Sequence, residues 1–217
     1  MTKLIAFDFD GNIHEDKDGN CLIRFHEALG TANKENMKMV LNLYDKFLNG
    51  HISYQEWGDQ EIALWKGKDV NVLHRAVKKF NWIKGARETV SELKKRGYKL
   101  ALISTGGPLR VIGPLMKSWG FDYVVMNDVK VENGVLTGSW ITHVEFHDKG
   151  NALKKIAEEE GIDTQDCAVV GDNINDRSMF DEAGLSIAFC AKDEILKQKA
   201  TKKIEERDMR NVLEYFP

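Results

Sequence analysis

The sequence predicts an α/β protein: a doubly wound parallel-sheet core carrying an inserted small α-helical bundle. Three observations predict it. An apolar run at the start, Leu4 to Phe7, ends in acids and a glycine. From residue 84 onward, helix-spaced and strand-like apolar segments alternate, the rhythm of parallel βαβ units. Between them, residues 14–82 are helical in spacing throughout and contain Trp57, Trp65 and Trp82, enough aromatic surface for a small core of their own. The expected division is a core of residues 1–13 and 83–217, interrupted by a helical insertion of residues 14–82.

The first strand is expected over Lys3–Asp10, where the near-continuous apolar pattern is that of a strand buried on both faces. In the insertion, Met37, Val40, Leu41, Tyr44 and Leu48 recur at spacings of three and four. After a turn at Asn49-Gly50, Ser53-Tyr54-Gln55-Glu56 reads as a capping box opening a helix with Tyr54, Trp57, Leu64 and Trp65 on one face. A third helix after Asp69 carries Val70, Leu73, Val77 and Phe80. Beyond the insertion, a helix over Ala86–Arg96 stops at Gly97 and a strand follows over Lys99–Ser104. Pro108 suits the first turn of a helix reaching Trp119. A strand over Tyr123–Met126 comes next. Asn133-Gly134 then marks a hairpin across Val129–Thr142. Helix Lys149–Glu160, strand Cys167–Asp172, a helix near Asn175–Ala183, strand Leu185–Cys190 and further helices complete the chain.

At 217 residues the chain is long enough to bury a core without covalent staples. Lys and Arg number 31 against 34 Asp and Glu, a net charge of -3 that excludes the basic surface wanted for wrapping nucleic acid or an anionic membrane. Cys21, Cys167 and Cys190 show no paired spacing, so neither a disulfide framework nor a zinc site is expected. Buried thiols in a reducing compartment fit better. No apolar stretch approaches the roughly 18 residues of a membrane span, and the first apolar run is too short for a secretion signal. The expectation is a soluble cytoplasmic protein whose partner is a small molecule, with monomer and homodimer both open.

Four constellations carry chemistry. In Phe7-Asp8-Phe9-Asp10-Gly11, strand alternation would put Asp8 and Asp10 on one side, at the carboxyl end where open α/β sheets place ligands. A solvated acidic turn is the plain alternative. In Gly171-Asp172-Asn173-Ile174-Asn175-Asp176, two more acids follow a strand and suit Mg²⁺, although helix capping would use the same residues. Ser104-Thr105-Gly106-Gly107 offers hydroxyls and glycine N–H groups to a phosphate, as would any polar turn. Lys149 opens a helix, where the dipole disfavours a cation, which hints at another use. Two further motifs are set aside. Asp16-Lys17-Asp18-Gly19-Asn20 resembles a calcium loop, but in that register His14 and Phe25 fall at the first and last ligand positions. His147-Asp148 lacks the companion histidines of a metal-dependent phosphohydrolase dyad.

Acid pair, hydroxyl turn, lysine and second acid pair occur in this order, and three of them end strands. In that order and context the chain resembles the haloacid dehalogenase-like hydrolase superfamily, whose signature is D-x-D, S/T, K and GDxxND. Within it, the chain is similar to the phosphoserine-phosphatase-like branch, with its helical C1-type cap and a tail like Ile187-Ala188-Phe189-Cys190-Ala191-Lys192. The resemblance implies a Rossmann-like core and a Mg²⁺-dependent phosphatase that hydrolyses a small phosphomonoester through an aspartyl-phosphate. It implies Asp8 as nucleophile, Asp10 as acid and base, and Lys149 as the charge that stabilises the phosphoryl group. Ser104 or Thr105, with Gly106, Asn12 and Asn175, would contact phosphate. Asp8, Asp172, Asp176 and the Asp10 carbonyl would serve the metal.

Two departures bear on substrate. Asn12 stands where the family usually has Thr or Ser. The cap lacks an E-T-I-D-like stretch, and its substrate-carboxylate arginine aligns near Glu61, beside the buried face of its helix. A carboxylate there disfavours phosphoserine. Phosphoserine phosphatase proper, phosphoryl transfer to another acceptor, and a non-catalytic binding protein on the same fold remain the alternatives.

Overall fold

The structure, a computed structural model, describes residues 2–15 and 20–217. Residues 16–19 of the calcium-loop-like turn therefore lie outside the described residues, and its last residue, Asn20, caps the helix that follows. Strand β1 (Leu4–Phe7) leads into four helices: α1 (Cys21–Leu29), α2 (Lys34–Leu48), α3 (Tyr54–Ile62), prolonged by a 3₁₀ turn, and α4 (Asn71–Val77). Then come α5 (Ala86–Lys95), β2 (Lys99–Ser104), α6 (Leu109–Trp119), β3 (Tyr123–Met126) and the hairpin β4 (Asp128–Glu132) and β5 (Val135–Ile141). The chain continues with α7 (Lys149–Glu160), β6 (Cys167–Gly171), α8 (Arg177–Glu182), β7 (Leu185–Phe189), α9 (Glu194–Lys199), β8 (Lys202–Ile204) and a closing 3₁₀ helix, Met209–Tyr215.

Six strands form one parallel sheet in the order β3-β2-β1-β6-β7-β8. The chain winds from β1 toward one edge through β2 and β3, then toward the other through β6, β7 and β8. Crossovers diverge at β1, so a crevice opens at its carboxyl end between β2 and β6. Alternation along β1 feeds two cores. Ile5 and Phe7 pack into a cluster that runs through Phe9 and Ile13 into the helical insertion, where Phe25, Trp65 and Leu73 are buried. Leu4 and Ala6 face the opposite cluster, with Leu153, Ile156 and Met179. Because both faces are covered, every β1 residue is buried, as the unbroken apolar run requires.

The structure differs from the sequence expectation at several elements. β1 ends at Phe7, not Asp10. The Asp8 N–H makes one more ladder bond, to Val170 O, and the chain then turns as Phe9 O accepts from the N–H groups of Asn12, Ile13 and His14. Asp8 and Asp10 are therefore placed by a turn rather than by strand alternation. Pro108 lies just outside α6, in extended conformation. On α2 Leu43, Tyr44 and Phe47 pack into the core and Val40 is buried against the cavity, while Leu41 and Leu48 are exposed. β8 was not expected; Lys202 and Lys203 give it no apolar signal, and only Ile204 is buried.

The hairpin turns at Asn133 and Gly134 with φ of 49° and 80°, the left-handed pair a two-residue turn needs. It leans on α3, where Gly58 leaves room for Trp140: a Cβ at Gly58 would lie 2.4 Å from that ring. Among the described residues, no helix is long and apolar enough to cross a membrane.

Candidate active site

The carboxyl ends of β1 and β6 lie side by side, since Phe7 pairs with Val170. This places Asp8 against the Asp172–Asp176 loop. Lys149, the first residue of α7, is fully buried and donates Nζ to Asp8 Oδ1 at 2.5 Å and to Asp176 Oδ1 at 2.7 Å. These bonds explain a lysine at a position the helix dipole disfavours. Burial pushes the Asp8 carboxyl up; Lys149 pulls it down and Asp176 adds to the rise, leaving it at about 7. For Lys149, burial acts to lower the ammonium, but Asp176 and Asp8 outweigh it and the net direction is up.

Asp8, Asp172 and Asp176 are all buried, and each offers an oxygen within 4.8 Å of the others. Lys149 bonds two of these carboxylates and Lys192 Nζ lies 4.0 Å from Asp172 Oδ2, but three carboxylates desolvated this close together are costly without a further counter-charge. An all-oxygen donor set of this kind suits a hard divalent cation. The local backbone is shaped to bring the acids this close. Gly11 has φ +88°, and a Cβ there would lie 2.6 Å from Asp172 Oδ2. A Cβ at Gly171 would meet the Asp176 carboxylate at 2.6 Å. Asp176 Oδ2 accepts from the N–H groups of Asp172 and Asn173 at 2.9 and 3.1 Å, so the same side chain folds the loop and faces Lys149.

The other expected residues fall around this centre. Asp10 stands outside the three-acid cluster. Its Oδ1 accepts from the Cys21 N–H at the start of α1 (2.9 Å) and from His14 Nδ1 (2.8 Å). Asn12, expected at phosphate, is fully buried and donates Nδ2 to Asp172 Oδ1 at 2.9 Å. Ser104 and Thr105 both line the same cavity as Asp8 and Asp10, as do Gly106 and Asn175. Ser104 Oγ accepts from the Gly106 N–H at 3.1 Å, and Asn175 Nδ2 donates to Thr105 Oγ1 at 2.9 Å. The cavity holds about 410 Å³ and is completed from the insertion by Tyr44, Tyr54, Trp57 and Glu61, with Phe146 from the segment before α7. His147 is exposed and lies against the Phe47 and Phe146 rings.

Sequence reasoning missed His14, Asn127 and Phe146. His14 is buried between the Phe9 and Phe80 rings. Asn127 is fully buried and ties three segments together, donating to Tyr54 Oη, Thr105 O and Val144 O and accepting from the N–H groups of His143 and Val144. The only signal for Asn127 was a polar residue directly after an apolar strand. Tyr54 read as core, yet its hydroxyl donates to Thr105 O at 2.6 Å and links α3 to the hydroxyl turn.

The arrangement pairs a buried carboxylate, Asp8, with a fixed ammonium, and sets a second, hydrogen-bonded carboxylate, Asp10, on the same cavity. The comparisons agree with this chemistry. The model of the haloacid dehalogenase-like hydrolase family matches residues 5–181. A protein of Methanocaldococcus jannaschii named phosphoserine phosphatase is 37% identical over 215 residues, covering 99% of this chain and 97% of its own. A solved structure described as a phospho-aspartyl intermediate analogue of phosphoserine phosphatase superposes with a TM-score of 0.81 at 35% identity, covering 100% of this chain and 99% of the other. A substrate-bound phosphoserine phosphatase complex gives 0.82 at 35% identity and the same coverage. With the matched segment running from the first strand through the second acidic loop, the chain belongs to the haloacid dehalogenase-like hydrolase family.

Proposed function

We propose that the chain is a Mg²⁺-dependent phosphatase that hydrolyses a small phosphomonoester through an aspartyl-phosphate, with residues 14–82 forming a cap over a core of residues 1–13 and 83–217. The observation that carries this reading is Lys149 bridging Asp8 and Asp176, with Asp8 and Asp172 lining a cavity that Tyr44, Tyr54, Trp57 and Glu61 of the insertion complete.

An Asp8 oxygen attacks phosphorus; the new O–P bond forms as the bond to the ester oxygen breaks. Asp10 gives its proton to the departing oxygen, and the alcohol leaves. Water then attacks phosphorus, the Asp8–P bond breaks, and Asp10 takes a proton from the water. Inorganic phosphate and the starting carboxylates result. Lys149 lowers the repulsion between Asp8 and the phosphoryl oxygens. Ser104 or Thr105, with Gly106 and Asn175, holds those oxygens in line. Asn12 holds Asp172 in place. Asp8, Asp172, Asp176 and the Asp10 carbonyl are the groups that would hold Mg²⁺, which when bound supplies charge neutralisation at the phosphoryl group.

The name of the Methanocaldococcus relative favours phosphoserine as a second reading; Glu61 in the cavity opposes it. The mechanism is tested by hydrolysis of p-nitrophenyl phosphate with Mg²⁺ and with chelator, for wild type and Asp8→Asn. We expect chelator to abolish turnover and Asp8→Asn to lose about 10³-fold or more. Chelator-insensitive turnover, or an active Asp8→Asn, overturns the mechanism.

A further inference from the structure

Glu61 is 2% exposed and lines the cavity that holds Asp8 and Asp10. Its Oε1 lies 3.4 Å from His26 Nε2, and its Oε2 is buried with no hydrogen-bond partner. A buried carboxylate oxygen without a partner is costly unless a ligand supplies one.

His26, from α1, stands against Oε1 and leaves Oε2 unpaired. The ring is fully buried, and the Trp65 indole donates to it, 3.1 Å from Nδ1 and 3.3 Å from Nε2. Thr31 Oγ1, 2.8 Å from Nδ1, completes the set of ring partners. Among the described residues, none that lines the cavity is cationic.

The walls beside Glu61 are aromatic. Tyr44, Tyr54, Trp57 and Phe146 all line the cavity. Their ring centroids lie 5.1–6.4 Å apart along the Tyr54–Trp57, Tyr44–Trp57, Tyr54–Phe146 and Tyr44–Phe146 contacts. A carboxylate among aromatic faces is a site for an ammonium group, attracted by both the charge and the ring quadrupoles. It is a poor site for a carboxylate, which would meet Glu61 with no counter-charge. Trp57 Nε1, also without an acceptor, offers one neutral donor and no positive charge.

We propose that the preferred substrate is the phosphomonoester of a short amino alcohol: phosphate at Asp8, a primary or quaternary ammonium group at Glu61 and the aromatic walls, and no carboxylate. The proposal rests on the phosphatase reading and adds the substrate class.

The test measures kcat/KM of the purified enzyme with Mg²⁺ on O-phosphoethanolamine, phosphocholine, uncharged propyl phosphate and O-phosphoserine. At least one ammonium ester is expected to exceed both propyl phosphate and phosphoserine by about 10-fold or more. Which of the two leads tells primary from quaternary ammonium. In Glu61→Gln the ratio of the better ammonium ester to propyl phosphate is expected to fall by about 10- to 100-fold. Both esters are measured on one preparation, so a partly folded variant leaves the ratio intact. Equal or faster turnover of phosphoserine or propyl phosphate by wild type, or an unchanged ratio in Glu61→Gln, overturns the proposal. Wild-type turnover of p-nitrophenyl phosphate separates the two failures: if that ester is hydrolysed without an ammonium preference, the proposal fails alone; if it is not, the phosphatase reading fails and the proposal with it.

Discussion

Four aspartates stand within one site, and their neighbours give them different work. Asp8 meets an ammonium. Asp10 meets a backbone N–H and an imidazole. Asp172 meets the Asn12 amide, and Asp176 meets Lys149 and two backbone N–H groups. The acids and Lys149 were legible in the sequence because each closes a strand, follows one closely or opens a helix. Their partners were not. Asn12 and Asp172 are 160 residues apart, and His14 reaches Asp10 only through the turn at Phe9, which no apolar spacing announces. Gly11 is the hinge of that turn, so it carries a prediction. Gly11→Ala forces a side chain into the φ +88° region and sets its Cβ against the Asp172 carboxylate. A displacement of about 1 Å near the reacting atoms costs roughly 10²-fold. We expect kcat/KM on p-nitrophenyl phosphate to fall by about that factor. Tm should drop by about 2–8 °C, from about 1–2 kcal/mol of left-handed strain. Wild-type kinetics in this variant would show that Asp172 tolerates the shift.

Elements differ in how plainly their sequences announce them. Helix α3 was legible to the residue at its start. Ser53 Oγ accepts from the Glu56 N–H, while the Glu56 carboxylate accepts from the Ser53 N–H at 2.7 Å, the reciprocal pair that the spacing implied. The Ser53 N–H and then the Ser53 hydroxyl, both donating to it, hold the Glu56 carboxyl below its ordinary value. Burial of Glu61 was legible too, from its spacing on the same helix. Its unpaired oxygen was not, because that depends on His26 arriving from α1. The stripe on α2 was misjudged by one position: the side chains packed in the core are Leu43, Tyr44 and Phe47, and Leu41 is 65% exposed. Apolar residues at the cavity mouth and apolar residues in a core look alike in one dimension. Because α3 carries Tyr54, Trp57 and Glu61, its cap is a test of whether local helix stability matters for the site. Replacing an N-cap serine by alanine costs about 1 kcal/mol, which in a chain of this length lowers Tm by about 2–4 °C. Ser53→Ala should show that loss in a thermal melt. A melt superimposable on wild type would mean that tertiary packing alone fixes the start of α3.

At the scale of the whole molecule, alternating helices and strands predicted a parallel sheet but not its order. Order depends on which side of β1 each crossover takes, and short apolar strands do not encode that individually. The closing of the chain was equally hidden, since it rests on polar contacts between distant segments. Met209 N donates to Lys84 O at 2.8 Å, bringing the last turn of chain to the point where the core resumes after the insertion. Asp208 secures this junction. It is 5% exposed, accepts from Arg210 Nε at 2.8 Å and from the Arg210 N–H at 3.1 Å, and pairs with Lys84 Nζ at 3.0 Å. The Arg210 hydrogen bond is the main force holding its carboxyl well below the usual value of 3.8; burial works against it and Lys84 adds to the lowering. A carboxylate whose folded value is depressed stabilises the fold fully above its unfolded value and loses that contribution as pH falls toward the folded one. Asp208→Asn should therefore lower Tm at pH 7 by about 3–6 °C, in line with loss of charge-assisted hydrogen bonds. The gap from wild type should stay constant down to about pH 5 and narrow below the carboxylate's unfolded value near 3.9, as wild type loses what the variant already lacks. Thermal melts of both proteins across that range read the effect directly. A gap that widens on acidification would reverse the sign, and would mean that the junction is held by packing around Gly85 and Arg210 rather than by the Asp208 charge.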